Sequence, residues 1–157
     1  MDAKVDASAL TALAKRLEQT PQVLAEAKRW AFTEAAPKLK AAVDAEIGGT
    51  GKVRSWQGAF VGSRGGYAAV RPKKGLYAET KGAQKGFRAG PKKYAVGYIT
   101  NAINQGHKPP RSKFGFNTGG RRTPGKQFYQ RAQADAQGVA QEAGEQIIQA
   151  IIDHLEG

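Results

Sequence analysis

Seven residues from Gly120 to Lys126 read GRRTPGK, the Gly-x4-Gly-Lys spacing of a loop that wraps a nucleoside phosphate. Such a loop aims successive backbone N–H groups at phosphate oxygens and follows its Lys with a Ser or Thr hydroxyl for Mg²⁺. Here Pro124 removes one donor, Gln127 stands where the hydroxyl is needed, and no clear strand leads in. GGTGK, starting at Gly48, lacks the full spacing and follows a helical stretch. The histidines offer little more. His154 sits near the C-terminal end of a helical pattern, where a cation interacts well with the helix dipole and needs no other role. His107 follows a helix-ending Gly and precedes two prolines, as an oriented loop residue would. Metal ligation or acid–base chemistry would need further ligands or carboxylates, and between Lys52 and Lys126 the single acid is Glu79. The absence of cysteine excludes thiol nucleophiles, disulfides and Cys-type zinc sites. The expectation is a protein without catalytic residues, metal, cofactor or small-molecule substrate.

Cations are the abundant chemistry. Lys73, Lys74, Lys81, Lys85, Arg88, Lys92 and Lys93 interleave with Tyr77, Phe87 and Tyr94, as phosphate contacts and stacking platforms would. A second basic stretch, HKPPRSKFGFNTGGRR, carries His107, Lys108, Arg111, Lys113, Arg121 and Arg122. Nucleic-acid contact is one reading. Protein assembly, with basic loops ordering against an acidic neighbour, is another. Solvated charge is the usual fate of short runs, but it explains so sustained an imbalance less well. From Lys52 to Lys126 there are 17 Lys or Arg against that one acid. The first 51 residues balance at seven of each sign, and the last 31 hold five acids and one base. A centre so charged should repel its own copies unless an anionic partner screens it.

The elements that must carry these residues fall into three regions of one domain spanning 1–157, namely 1–49, 50–122 and 123–157. The first is helical. Leu10, Leu13 and Leu17 mark a short amphipathic segment that should end before Thr20 and Pro21, which can cap and open a second helix. Leu24, Ala27, Ala31, Ala35, Leu39 and Ala42 then form a core-facing stripe, with Pro37 expected to kink or divide it and Gly48–Gly49 to stop it. The middle reads as short strands: VRSWQGAFV and YAAVRP around a GSRGG turn, LYAET as a third, and a short helix through Tyr98 and Ile103 ending at Gly106. After Thr123–Pro124, one long helix should present Phe128, Ala132, Ala136, Val139, Ala143, Ile147, Ile151 and Leu155 on one face. The fold class is therefore α+β, with helices packed on a small, mostly antiparallel sheet. MDAKVDASAL has neither a basic leader nor an apolar core, and QIIQAII is too short to span a bilayer, so a soluble, unexported protein without a membrane partner is expected.

The order of parts resembles the neck and tail-completion family of long-tailed bacteriophages, which includes the minor tail component of the lambda Z type. A helix leads into TGKVRSWQG, where Thr50, Gly51, Val53 and Ser55 match the family's Thr-Gly-x-hydrophobic-x-x-Ser pattern. YAVGYITNAINQGH matches its Tyr-Ala segment running to Gly-His through Tyr94, Ala95, Gly106 and His107. TPGKQFYQRAQADA matches its Gly-basic-x-Phe opening of the last helix through Gly125, Lys126 and Phe128. The stretch from Arg71 to Lys93 is longer and more basic than the family's, and Gln105 stands where an acid often precedes the Gly-His. The resemblance implies a virion structural protein with no catalysis, forming a homo-oligomeric, six-fold ring at the head–tail junction. It implies as partners a tail-tube or tail-terminator protein and a head-closure or connector protein, with contact to packaged DNA. The alternative expectation is a basic nucleic-acid-binding module.

Overall fold

A computed structural model describes residues 8–49, 51–80, 92–107 and 123–156. Its spine is a 40-residue helix, α1 (Ser8–Ile47), on the order of 60 Å long at ~1.5 Å per residue. There follow α2 (Gly51–Trp56), β1 (Gln57–Val61), β2 (Ala68–Pro72), β3 (Tyr77–Thr80), β4 (Lys92–Ala95), α3 (Val96–Gln105), β5 (Gly106–His107), β6 (Thr123–Pro124), α4 (Phe128–Arg131) and α5 (Gln133–Glu156). The class is α+β. Its antiparallel part comprises three separate pairings, β1 with β2, β3 with β4, and β5 with β6.

The helical period explains the main packing. Ala27, Ala31 and Ala35 of α1 are buried, and Ala31 and Ala35 pack with Ala143, Val139 and Ile147 of α5. Small side chains let the two helix axes approach closely. The helices run antiparallel. Arg16 Nη1 donates to the Leu155 carbonyl at 2.8 Å, the His154 ring lies 2.9 Å from the Arg16 carbonyl, and Lys38 pairs with Glu142. At the other end Arg131 pairs with Glu46 at 2.5 Å and donates to its carbonyl at 2.7 Å. There a second core gathers Val43, Ile47, Val53, Phe128 and Ala132, with Trp56, Val70, Ile103 and Tyr129 around it. The β1–β2 hairpin lies along α1. At its turn a Cβ on Gly65, which has φ 65°, would fall 2.7 Å from the Arg29 Cα.

Several boundaries differ from expectation. α1 runs unbroken through Thr20–Pro21 and through Pro37. Both prolines are exposed, so the carbonyls that lose a partner are on the wet side while the opposite face stays packed. Leu13 and Leu17 follow the helical period but are exposed among the described residues, because α5 ends beside Arg16. VRSW is helical, as α2, and the strand begins at Gln57. The third strand forms as β3 but pairs with the KKYA segment, β4, instead of joining the hairpin. Thr123–Pro124 pairs with Gly106–His107 as a strand, and the last helix opens at Phe128 and breaks at Ala132 into α4 and α5.

Candidate functional site

Three distant segments meet in one buried joint. The start of β1, directly after α2, delivers Gln57, which is fully buried. Its Nε2 donates to the Val53 carbonyl at 3.1 Å, and its Oε1 accepts from the Tyr129 hydroxyl at 2.6 Å. α3 delivers Asn104, also buried, whose Oδ1 accepts from the Tyr129 backbone N–H at 3.2 Å. The Asn104 and Ile103 carbonyls accept from Gln127 and Lys126 N–H groups, each at 2.9 Å. Phe128, with no exposed surface, packs beneath, its ring 4.6 Å from that of Tyr129. The chain leaving α3 and the chain entering α4 cross so closely that glycine is required on both sides. A Cβ on Gly106, at φ 80°, would lie 2.4 Å from the Thr123 carbonyl oxygen, and one on Gly125 would lie 2.3 Å from that of Asn104. Burial pushes the Tyr129 phenol up from its ordinary 10.0 to about 12. Thr100 Oγ1 is buried nearby on α3 with no hydrogen-bond partner among the described residues. The joint holds amides and a neutral phenol, groups that fix geometry and do not move protons near neutral pH.

A ribbon of β3 and β4 leads into the N-terminal end of α3, anchored where the Val96 N–H donates to the Leu76 carbonyl at 3.0 Å. In its register Tyr77 faces Ala95, Ala78 faces Tyr94, and Glu79 faces Lys93. Directly opposed residues share a side, so Tyr77, Glu79 and Lys93 line one face while Tyr94 lines the other. Tyr94 stacks on Tyr98 of α3, ring centroids 5.7 Å apart and 19° from parallel. Tyr77 and Tyr98 are 64% and 69% exposed. Lys93 and Glu79 pair at 3.6 Å in full solvent, an arrangement worth little. The Arg71 guanidinium covers the Phe60 ring at 4.5 Å.

The expected contact residues divide accordingly. Lys73 and Lys74 stand exposed in the turn between β2 and β3, and Lys93 is exposed on β4. Lys92 is on β4 opposite Thr80. His107, on β5, is exposed and paired with Thr123. Lys81, Lys85, Arg88, Lys108, Arg111, Lys113, Arg121 and Arg122 lie outside the described residues. The first three residues of the GRRTPGK stretch do too, and its described remainder is a strand followed by the glycine crossing. Among the described residues, no cluster of three His, Asp or Glu side chains is placed to hold a metal. No helix there is long and apolar enough to cross a membrane.

Sequence reasoning missed the outward apolar residues. Trp30 on α1 is 55% exposed, and Ile148 and Ile152 on α5 are 59% and 39% exposed. The signal was present, since Ile148 and Ile152 each sit one position past the half-buried Ile147 and Ile151 and so fall outside the stripe that packs on α1. No family model, curated protein or solved structure matches the chain.

Proposed function

We propose that this chain is a structural subunit of a long-tailed phage particle, forming a homo-oligomeric, six-fold ring at the head–tail junction. It joins the tail to the head through a tail-tube or terminator protein on one side and a head-closure or connector protein on the other. The reading rests on one observation. The segments carrying the resemblance are far apart in the chain, yet Val53, Asn104, Gly106, Gly125 and Phe128 come together around the Gln57–Tyr129 joint. Motifs placed in a common architecture are expected to meet, whereas chance likenesses have no reason to converge. The exposed ribbon and outward apolar helix residues suit a subunit completed by its neighbours.

A second reading, a nucleic-acid-binding module, draws on the exposed Tyr98, stacked on the half-buried Tyr94 next in sequence to Lys93, which is the composition of a base-stacking platform. Sedimentation and electron microscopy of the purified chain separate the two. The ring reading expects closed rings whose stability falls only shallowly with salt. The module reading expects a monomer that retains DNA at low salt and loses roughly a thousandfold in affinity as salt rises. A monomer with that steep DNA response would overturn the ring.

A further inference from the structure

Two surfaces of this chain are unfinished, and their chemistries complement each other. The first is the outward side of α5. Helical spacing puts Glu145, Ile148, Ile152 and Glu156 on one stripe, opposite the stripe of Val139, Ala143 and Ile147 that packs on α1. Isoleucine is among the residues most often buried, yet both of these are open to solvent and sit one turn apart as a continuous apolar strip. The carboxylates bordering it have no cation within the described chain; Glu145 accepts one intrahelical bond, from Gln141 at 3.0 Å.

The second surface is the Tyr77 face of the ribbon with the turn before it. Among the described residues Tyr77 is the most exposed aromatic on either strand and makes no ring contact. Lys73 and Lys74 precede it with no carboxylate partner there. An aromatic flanked by lysines matches an apolar strip flanked by glutamates, in both desolvation and sign.

The two surfaces cannot meet within one molecule. The last turns of α5 lie against Arg16, in the first third of α1, whereas the turn leading into the ribbon is tied to the other end of α1, where the Lys73 N–H donates to the carbonyl of Trp56, which packs against the core that holds Ile47. We infer that Lys73, Lys74 and Tyr77 of one copy dock on the Glu145–Glu156 stripe of the next. Such a contact leaves one free donor surface and one free acceptor surface on every copy, the heterologous arrangement that gives a ring when its rotation closes. Nucleic acid is a poor occupant of the α5 stripe, since its phosphates would face carboxylates. This inference rests on the ring reading above and assigns that ring its interface.

Charge reversal tests it on the full-length chain, with mass followed by sedimentation. Lys73→Glu with Lys74→Glu makes both surfaces anionic; Glu145→Lys with Glu156→Lys makes both cationic. All four positions are exposed, so the fold should be retained, and Lys93 is left in place to keep its pairing with Glu79. Each double variant alone should associate at least about tenfold more weakly than the natural chain. An equimolar mixture should recover assembly, because each ribbon then meets a stripe of opposite sign. Tyr77→Ala, which changes no charge, should also weaken association. Reversals that leave the mass unchanged, or a mixture that stays dissociated, would overturn the contact while a ring-forming natural chain kept the ring reading intact. Loss of DNA retention with unchanged mass would give the ribbon to nucleic acid and likewise overturn it. A natural chain that is monomeric at every concentration would remove both inferences together.

Discussion

Tyr129 carries more of the joint than its single hydroxyl suggests. Its O–H is the donor that satisfies the Gln57 Oε1, in a side chain with no access to water. Tyr129→Phe should therefore cost about 1–3 kcal/mol in urea unfolding, the penalty for stranding a buried acceptor and well above that for losing an exposed hydrogen bond. Gln57→Leu, which removes the need for the donor, should partly rescue it. The same phenol sets an alkaline limit. Its folded pKa is raised to about 12 by burial, above the unfolded value near 10.0, so the native state holds its proton where the unfolded state has lost it. That contribution is complete below pH ~10 and declines as pH rises toward about 12. Ultraviolet titration should show one tyrosine ionising late, and Tyr129→Phe should abolish that step. Little of this was legible in the sequence. Phe128 declared itself through helical spacing, but Gln57 and Asn104 look like surface residues until partners 72 and 25 positions away are known.

At the scale of elements, the glycines separate joint from frame. Gly125 has no left-handed backbone, so only crowding forbids a side chain there: a Cβ would sit 2.3 Å from a backbone oxygen that cannot move without opening the α3–α4 crossing. Gly125→Ala should destabilise by at least about 2 kcal/mol, at the upper part of the overpacking range. Gly138, within α5, meets nothing within 4 Å, and Gly138→Ala should stabilise by roughly 0.5–1 kcal/mol through helix propensity. Thermal unfolding of the two variants gives opposite signs if the crossing is as tight as described. The same contrast shows what periodicity can and cannot reveal. The α1 stripe through Ala27, Ala31 and Ala35 and the α5 stripe through Ala143 and Ile147 were readable because burial imposes a period of 3.6. The passage of α1 through Pro21 was not readable, because proline's local preference for a helix start is overridden by packing along the whole length of the opposite face. Strand partners also escaped, since β3 and β4 pair across a long connection and a four-residue strand carries almost no register signal.

For the whole molecule, the sequence announced a cationic centre between balanced and acidic ends, and the fold converts that linear order into two separated surfaces. The helical hairpin is held by a buried alanine seam and by cross-links at both ends, from Arg16 to Leu155 and from Arg131 to Glu46. Among the described residues the β3–β4 ribbon has no such buried seam: Tyr77, Glu79 and Lys93 face solvent, and a two-stranded ribbon packed on one face alone is at best marginally stable in water. Stability should therefore be graded across the chain. In a dilute, monomeric sample, backbone amides of Ala78–Thr80 and Lys93–Ala95 should exchange with deuterium quickly, while those of Ala27–Ala35 exchange near the rate set by global unfolding. On assembly the ribbon amides should slow by an order of magnitude or more, because a docked ribbon must break its contact before it opens, whereas the alanine seam should change little. A ribbon already as protected as α1 in the monomer would mean that it needs no neighbour, and the cationic centre would then be a finished surface of a self-sufficient protein.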